Sequence, residues 1–465
     1  MMKSILFVFL CTLAGCTQTT KHDDIEEGWK KLPTILNQIN TPKFPDLDFN
    51  IVDYGAKSDG SLCTESIKEA IKACHDAGGG RVIVPEGEFT TGAIHLLSNV
   101  ELHVSQGAKL LFSTNPEDYL PVVHTRYEGV ELFNYSPLIY AYKQKNIAIT
   151  GTGILDGQAS MDNWWFWAKG VKEKTKNLQF TPNSIPRLMG YMSNGTAVEE
   201  RVFGPGSYLR PSFVQPYLCE NILIENVTIV RPPMWMLHPV LSKNITVKGV
   251  KLYSPNAPNG DGCNPEASKN VLIENCEFNT GDDCIAIKSG RNKDGFDMGI
   301  PSENIVIRNC KMKDGHGGVV MGSETSGGVK NVYVYDCEMD SPNLERAIRL
   351  KSNKYRGGTI ENIYVKNIEV GQVKNAAIRI NQNYFSKAAP SEIRYTTYRN
   401  IFIENITCQK ADYAIQILGL EEHPIENVKI LNSKFTEMNK ENVINSVNGL
   451  VLEDVEVNGK KVVNF

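Results

Sequence analysis

The sequence lacks the features that mark several common protein classes. Its 49 Lys and Arg are outnumbered by 53 Asp and Glu, so no global positive field is present to collect nucleic acid. Beyond the N-terminus, no apolar run is long enough to cross a bilayer. The eleven cysteines include no Cys-x-x-Cys pair with metal-ligand spacing. The 41% of hydrophobic residues nevertheless suffices for a large core, which argues against disorder.

The N-terminus reads as an export signal. Lys3 is followed by an apolar run at 5–10 and then by Leu-Ala-Gly-Cys ending at Cys16. This end resembles a bacterial lipobox, which implies cleavage before Cys16 and its lipidation. The resemblance predicts an exported lipoprotein of the outer membrane or periplasm, or of the cell surface, held through its lipid only. An ordinary cleaved leader is the alternative. The predicted divisions are a signal peptide at 1–15, a lipidated Cys and tether at 16–47, and one folded domain at 48–465.

The main structural signal is a repeat in which Asn precedes an apolar-x-apolar pattern. The later members recur at intervals of 23 to 38 residues, and each unit holds short alternating runs broken by Gly, Asn or Asp. Such repeats predict a parallel β-solenoid with the Asn side chains in a hydrogen-bonded ladder. A propeller is the main alternative, but its blades need about 40 residues with four strands each. The repeated residues are Asn99, Asn146, Asn221, Asn244, Asn270, Asn304, Asn331, Asn362, Asn400 and Asn427, with Gly449 in the equivalent last place.

A second strand in each coil sets the register. Five segments align without gaps, and the period of two in a strand directs alternate residues inward and outward. Placed cations and small residues therefore share one outward face. The residues expected inside are Ile285, Val319, Ile348, Ile378 and Ile415, and those expected outside are Ala286, Lys288, Val320, Gly322, Arg349, Lys351, Arg379 and Asn381.

Nine cysteines remain once Cys11 and Cys16 are set aside, and an odd number excludes a complete disulfide framework. Three of them follow a repeated Asn by six residues, which predicts a stack inside the core. One disulfide, between Cys63 and Cys74, is left open. The three stacked residues are Cys276, Cys310 and Cys337.

Only the stretch 64–77 has a helical period, and Gly78 ends it. This helix is expected to cap the open N-terminal end of the solenoid. The segment between Asn146 and Asn221 breaks the repeat and is interpreted as loops, in which Trp164 and Trp165 either pack or stack on a sugar. His238 is open to a structural or a substrate-facing role.

Acidic residues precede the aligned strands at equivalent places. Asp261 lies one coil before Asp282 and Asp283, and His316 takes the corresponding place in the next coil. Since adjacent coils are about 4.8 Å apart, these side chains are expected to form one patch. Taken singly, Asp beside Gly is more often a turn former, so the prediction depends on the shared register.

Three clustered carboxylates repel one another, so at least one is expected to hold a proton near neutral pH. Glycoside hydrolysis needs such an arrangement, with a protonated acid for the leaving oxygen and an ionised base for water. Arg349 and Lys351 follow one coil later and can bind a substrate carboxylate. The alternative is that both side chains only belong to a solvated face of the strand. Together, the acids and cations indicate an acidic glycan bound along the solenoid.

Four motifs in chain order resemble the signatures of glycoside hydrolase family 28, the polygalacturonases. The resemblance covers nearly the whole chain from Phe49. It implies a right-handed, single-stranded parallel β-helix of the pectin-lyase type and a metal-independent, inverting hydrolysis of α-linked galacturonic acid chains. No cofactor is implied, and a monomer acting on pectic polysaccharide or oligogalacturonide is expected. The motifs begin at Asn259, Gly281, Gly315 and Arg349.

The resemblance also implies roles for single residues. Asp282 would be the general acid, and Asp261 and Asp283 would activate the attacking water. His316 would orient or tune the acid. The residues that would bind substrate are Arg349, Lys351, Tyr384, Asn259 and Lys288.

Two departures from the family pattern concern the substrate. Gly260 replaces a common Thr, and Asn264 stands where many members have a second Asp. The 34-residue interval from Asp282 to His316 resembles bacterial exo-acting members, so exo action is expected. The alternatives are hydrolysis of rhamnogalacturonan or xylogalacturonan, a calcium-dependent pectate lyase, and a non-catalytic glycan-binding solenoid.

Overall fold

The computed structural model describes residues 22–168, 184–384 and 392–462. Cys16 and the predicted signal peptide lie outside the described residues. Short parallel strands follow one another around a solenoid, as the repeat predicts, and they belong to one large sheet and two smaller ones. The smaller two are joined through isolated bridges at Leu237 and Cys263. We call this joined surface the front face and the large sheet the back sheet.

The strands of the front face are Ile94–His95, Ile139–Tyr142, Val214–Tyr217, Ile285–Ile287, Val319–Gly322, Arg346–Lys351, Ala376–Asn381, Tyr413–Leu418 and Val443–Asn445. Those of the back sheet are Asp48–Asn50, Gly80–Val84, Gly87–Thr91, Val100–Val104, Ala108–Phe112, Lys145–Gly151, Ile154–Asp156, Glu220–Glu225, Thr228–Val230, Lys243–Lys248, Lys251–Ser254, Lys269–Glu274, Glu277–Thr280, Ser302–Arg308, Lys311–Met312, Val329–Met339, Thr359–Gln372, Thr397–Ala411, Ile425–Met438, Val447–Val457 and Lys460–Lys461.

Outside the solenoid, an antiparallel hairpin is formed by Val123–Tyr127 and Val130–Asn134. The α-helices of the described residues are α1 (Asp23–Trp29), α2 (Leu32–Gln38), α3 (Thr64–Asp76), α4 (Ser184–Asn194) and α5 (Asn292–Met298). Short 3₁₀ turns lie at Ile51–Tyr54, Pro116–Tyr119, Trp164–Trp167 and Val198–Glu200.

The predicted asparagine ladder is present. Each repeated Asn has a positive φ, which Asn adopts more readily than most residues because its short polar side chain bonds locally. The amide of one coil donates to the amide oxygen of the coil before it, at 2.8 to 3.2 Å, from Asn146 through to Asn427. These bonds fix the same turn in each coil, so insertions elsewhere in a coil do not shift its register.

The register of the front face is also confirmed. Ile285 pairs with Val319, which pairs with Ile348, and the series continues through Ile378 to Ile415. All five side chains are buried. The residues that precede these strands therefore recur at one edge of the front face, where the acidic motifs lie.

Helix α3 confirms the predicted cap. Its buried residues, Ile67, Ala70, Ile71 and Cys74, form one apolar stripe in the main core at the first coils. The cap covers strand ends that would otherwise expose unpaired backbone groups.

The prediction of a single helix and of a tether over 16–47 is wrong for the described residues from 22 onward. Helices α1 and α2 lie on the outer surface of the back sheet, where Ile25 and Ile35 are buried. Seven residues are too few to show a periodic pattern, and such short helices gain their stability from packing. We call residues 22–47 the strap. The longest helix has 13 residues, and none in the described ranges is long and apolar enough to span a membrane.

The nine cysteines of the described residues are free and buried. The disulfide left open between Cys63 and Cys74 is therefore not formed. Cys276, Cys310 and Cys337 do lie in the main core, as predicted.

We expect the strap to be sensitive at Gly28. A Cβ there would lie 2.0 to 2.5 Å from the Tyr364 ring, whereas a Cβ at Gly190 in α4 meets nothing within 4 Å. Gly28→Ala should therefore destabilise the protein by about 1–3 kcal/mol through overpacking. Gly190→Ala should be neutral or stabilising by up to about 1 kcal/mol. Paired thermal denaturation curves test this, and equal melting temperatures for the two variants would contradict it.

Candidate active site

The acidic residues lie where the polypeptide enters the front face. Asp282 and Asp283 directly precede the strand Ile285–Ile287, and the chain beyond His316 forms the next strand. The backbone N–H of His316 donates to the carbonyl of Asp282 at 3.0 Å. The N–H of Gly262 donates to the carbonyl of Asp283, also at 3.0 Å. Backbone pairing between coils therefore brings the predicted residues together.

The three carboxylates form the predicted patch. One oxygen each from Asp261, Asp282 and Asp283 lies within 4.8 Å of the others. Asp261 and Asp283 are buried, at 3% and 1% exposure, and Asp282 is half-buried. Asn264 Nδ2 donates to Asp261 at 3.0 Å, so the Asn that departs from the family pattern orients a carboxylate.

Lysine and arginine compensate this buried negative charge. Lys351 Nζ lies 2.6 Å from Asp283 and Arg349 lies 3.4 Å from it. Lys288 Nζ lies 4.0 Å from Asp261 and donates to Glu324 at 2.9 Å. The cations expected to bind substrate thus also contact the acids directly, which their position one coil away did not reveal.

The charges are unequally distributed over the carboxylates. Burial, followed by the charge of Asp282, raises the pKa of Asp261 well above its usual value. Burial also acts to raise the pKa of Asp282. The hydrogen bond and charge of His316, with the charges of Lys351 and Lys288, outweigh burial and lower that pKa to about 2. His316 Nδ1 is 3.0 Å from Asp282 Oδ1, and this hydrogen bond raises the pKa of His316 to about 9. In the free protein, Asp261 therefore holds a proton more strongly than Asp282 does, and Asp282 favours the ionised form beside an imidazolium.

The same three carboxylates have the spacing of a cation site, and carboxylate oxygens suit Ca²⁺ or Mg²⁺. The other residues beside these carboxylates do not suit a cation. The ammonium group of Lys351 is hydrogen-bonded to Asp283, and that of Lys288 lies beside Asp261. Two fixed positive charges oppose a divalent ion at this place, so the residues present do not fit a metal centre.

The carboxylates line a pocket of about 380 Å³, a volume typical of small-molecule sites. The residues predicted from the sequence are joined there by others that it did not single out for the site. Glu324 shows no pattern that marks it, because its partners Lys288 and Arg356 are remote in sequence. The further lining residues are Glu128, Trp235, Ser323, Glu324, Glu345 and Arg346.

The predicted substrate-binding residues are all in the lining of this pocket. Tyr384 lies with its ring 5.5 Å from Arg349 and 5.4 Å from Lys351. Asn259 Oδ1 accepts a hydrogen bond from the buried Arg210 at 2.7 Å, so part of its hydrogen-bonding capacity is used within the protein.

The aromatic and histidine alternatives are resolved by burial. Trp164 is buried in the core, and Trp165 is half-buried with its indole N–H donating to the carbonyl of Pro232 at 2.8 Å. Both have packing roles. His238 is fully buried, which makes it structural rather than substrate-facing.

A sequence profile gives this geometry a family context. The profile of Glycosyl hydrolases family 28 matches residues 206–458, which is more than half of the chain. The chain belongs to glycosyl hydrolase family 28. The predicted membership is thereby confirmed. The predicted right-handed parallel β-helix is confirmed by the parallel coils described above and by the solved structures that the chain resembles.

Similar proteins extend the match beyond the residues of the profile. An exo-poly-alpha-D-galacturonosidase of Dickeya chrysanthemi is 31% identical over 80% of this chain and 64% of its own length. A probable polygalacturonase of Vitis vinifera is 29% identical over 82% of this chain and 73% of its own. The structure of a hyperthermoactive exopolygalacturonase from Thermotoga maritima superposes with a TM-score of 0.89 at 42% identity, covering 94% of this chain and 97% of that one.

The Asp282 and His316 pair predicts a pH window for stability. Because the pKa of His316 is raised from 6.5 to about 9, its contribution is complete below pH 6.5 and is lost as the pH rises through 9. Because the pKa of Asp282 is lowered from 3.8 to about 2, its contribution is complete above pH 3.8 and is lost as the pH falls through 2. We expect the melting temperature of the wild type to exceed that of His316→Asn most between pH 3.8 and 6.5.

Differential scanning calorimetry across this range measures the difference. His423→Asn, at a histidine stacked on Tyr395 away from the cluster, is the matched control. A difference between wild type and His316→Asn that is as large at pH 10 as at pH 6 would contradict the prediction.

Proposed function

We propose that this chain is an exo-acting polygalacturonase that hydrolyses α-1,4-linked galacturonic acid in pectin. The observation that carries the proposal is a pocket in which three carboxylates meet Lys288, Arg349 and Lys351. The acids supply the proton donor and the base of glycoside hydrolysis, and the cations match the carboxylate on each galacturonate unit. The 42% identical structure is that of an exopolygalacturonase, which agrees with this chemistry.

Substrate binding prepares the general acid. A galacturonate carboxylate that pairs with Arg349 and Lys351 withdraws part of the positive charge that keeps Asp282 ionised. The proton on His316 Nδ1 then moves to Asp282 Oδ1, with which it is already hydrogen-bonded, and from there to the glycosidic oxygen. His316 is therefore the proton reservoir for Asp282 in the proposed cycle.

The attacking water is held at the two remaining acids. Asp283, buried and paired with cations, takes the proton of the water as the oxygen bonds to the anomeric carbon. Asp261, which holds its own proton, orients that water by a hydrogen bond. The proton left on Asp283 returns to the Asp282 and His316 pair after the product leaves, which restores the starting state.

Direct attack by water inverts the anomeric carbon. The nearest oxygens of the carboxylates lie within 4.8 Å, whereas the carboxyl groups of most inverting enzymes are roughly 6.5–9.5 Å apart. We assign inversion here because two neighbouring acids together hold the water, so no wide gap between one acid and one base is needed. The anomer seen first by proton NMR tests this assignment, and a retained configuration would refute it.

The exo mode is proposed because the turn of the hairpin lines the pocket. We call this part of the hairpin the wall. The turn of the hairpin brings Glu128 into the lining, and Arg291 binds it through its side chain at 2.9 Å. The backbone N–H of Arg291 also donates to the carbonyl of Gly129 at 3.0 Å. Arg291 and α5 belong to the long interval between Asp282 and His316. This insertion therefore holds the hairpin beside a cleft that the solenoid alone would leave open.

We expect the enzyme to release mainly galacturonic acid from polygalacturonate from the earliest times. Product chromatography together with a reducing-end assay measures this, and chelator should leave the rate unchanged because the site does not fit a metal. Unsaturated products that absorb in the ultraviolet would instead indicate a lyase. Mid-length oligomers at early times would refute the exo mode, and greater activity on rhamnogalacturonan or xylogalacturonan would refute the substrate.

Two Asp→Asn substitutions accompany this experiment. One tests the general acid, and the other is its control. Asp282→Asn removes the acid and should lower kcat by roughly 10²–10⁴-fold while binding of oligogalacturonate persists. Asp336→Asn, at an exposed acid on the back sheet, should leave kcat unchanged. Undiminished activity of Asp282→Asn would overturn the assignment of the acid.

We further propose that Cys16 carries a lipid and that the enzyme acts as an anchored monomer. The strap supports a short attachment, because Asp24 binds Lys429 at 2.7 Å and His22 lies 3.4 Å from Glu453. Six residues from Cys16 to His22 reach at most about 20 Å, which would hold the last coils near the bilayer.

Detergent-phase partitioning and mass spectrometry of the mature protein test the anchor. The wild type should enter the detergent phase with a lipidated N-terminus, and Cys16→Ser should not. The soluble form should elute at the mass of a monomer in size-exclusion chromatography. A wild-type chain without lipid would show the alternative, an ordinary secreted enzyme.

A further inference from the structure

A fully buried ion pair lies beneath the hairpin, outside the residues that the proposed reaction uses. Arg126, on the first hairpin strand, donates to Glu266 at 2.8 Å. Their side chains are 1% and 0% exposed. Glu266 also lies 2.7 Å from His238 Nε2, so both carboxylate oxygens have a partner.

The protonation of His238 follows from its neighbours. The amide of Gln215 donates to Nδ1 at 2.9 Å, so Nδ1 is an acceptor and Nε2 carries the hydrogen that is donated to Glu266. Burial lowers the pKa of His238, and together with the charges of Arg126 and Lys288 it outweighs the opposing effect of Glu266. His238 is therefore neutral, and Arg126 alone neutralises Glu266.

General stability does not account for this pair. Moving two charges out of water costs about as much as their attraction returns, so an apolar pair of similar size often serves stability equally well. The pair does, however, join two parts of the protein that differ in role. Arg126 belongs to the hairpin, and Glu266 belongs to the coil that carries Asp261 and Asn264.

Arg126 lies next to the part of the hairpin that forms the wall of the pocket. It lies two residues before Glu128, which lines the pocket, on a strand held by antiparallel pairing to Val130–Asn134. Its other guanidinium nitrogen contacts Met298 Sδ at 3.0 Å, at the end of α5. One buried side chain near the turn of the hairpin thus touches both the coil of Asp261 and the inserted helix.

The hairpin has further contacts, and some of them are buried. Thr125 donates to Gln215, and Glu131 accepts from Tyr217 on the same front-face strand. Asp294 of α5 accepts from the N–H of Glu131 at 3.0 Å and from Arg201 at 2.6 Å, and Arg291 binds Glu128. The contacts of Asp294 and Arg291 tie the hairpin to the inserted segment, and those of Thr125 and Glu131 tie it to the front-face strand Val214–Tyr217. The bond from Arg126 to Glu266 joins it directly to the coil of the carboxylates.

We propose that the Arg126 and Glu266 pair, with His238 as its second partner, is a positioning device that holds the hairpin against the pocket and so imposes exo cleavage. This proposal rests on the proposed function, because the length of the products has meaning only for an enzyme that cuts polygalacturonate. The pair has no part in the chemical step. Its loss should therefore change where chains are cut more than whether they are cut.

The test compares product length with the total number of bonds cleaved. Arg126→Met combined with Glu266→Gln removes both charges of the pair. Glu131, which lies 3.7 Å from Arg126, keeps its contacts with His124 and Tyr217. We expect this double variant to release at least threefold less monomer among its early products, and to lower the viscosity of polygalacturonate more steeply per bond cleaved. Total reducing ends should stay within about threefold of the wild type.

The matched control removes an ion pair of the back sheet. Arg308 contacts Glu274 through two nitrogens, at 2.8 and 2.6 Å. Arg308→Met combined with Glu274→Gln should keep the product pattern of the wild type. A general effect of lost ion pairs would alter both double variants alike, which would overturn the proposal.

Arg126→Lys keeps the test decisive if the double variant fails to fold. It retains a charge but loses the two-sided reach of the guanidinium group, so a smaller shift toward longer early products is expected. An unchanged pattern in folded Arg126→Lys, or in the folded double variant, refutes the positioning role. Absence of any hydrolysis of polygalacturonate by the wild type would refute the proposed function instead, so the two failures are distinguishable.

Discussion

Hydrogen bonding between consecutive coils is the constraint on which the site depends. The coils differ in length, yet the backbone pairs Cys263, Ile285, Val319 and Ile348 in one line. Residues that directly precede this line are therefore stacked about 4.8 Å apart whatever length of chain separates them. In a solenoid, the distance between two such residues depends on the number of coils between them and not on the number of residues. The segments between the strands can therefore accept insertions.

This stacking forces like charges together, and the site is arranged to accommodate them. Three carboxylates at coil spacing would repel one another strongly in a buried place. Lys288, Arg349 and Lys351 reduce that repulsion, and the raised pKa of Asp261 favours its neutral form, which reduces it further. The cations thus have two functions, since they stabilise the free site and are available to a substrate carboxylate. A neutral sugar would gain nothing from displacing them, so the same electrostatics that permit the cluster also favour an acidic substrate.

The parts of the structure that follow the repeat could be predicted from the sequence. The asparagine ladder, the inward residues from Ile285 to Ile415 and the meeting of Asp261 with Asp282 all result from one periodic pattern. The cap α3 was visible because thirteen residues suffice to show a helical period.

The parts that depend on contacts between remote segments could not be predicted in this way. The sequence predicts a tether in place of the strap because α1 and α2 are too short to show a helical period, although it does contain one signal of a covered surface. Leu272, Val306 and Tyr333 occupy outward positions of the back sheet and are apolar, which indicates a covered surface. No such pattern marks Glu324 or the contact of Arg126 with Glu266, because each joins a coil to residues of another segment whose path the repeat does not specify. The charge contacts of Lys351 were missed for a related reason, since coil spacing gives the position of a Cα but not the reach of a long side chain.

The strap also imposes an order on the folding of the chain. Its helices are among the first elements of the folded protein to be synthesised, but their partners include Tyr364, Phe402 and Leu431, in coils near the other end. The apolar face of α1 therefore has no surface to cover until most of the solenoid has formed, although α2 also packs against the earlier strand Lys269–Glu274. Elements made early dock late, so an intact strap reports that the coils behind it are complete. A chain truncated before those coils would present an uncovered N-terminal segment to the proteases that remove unfinished proteins.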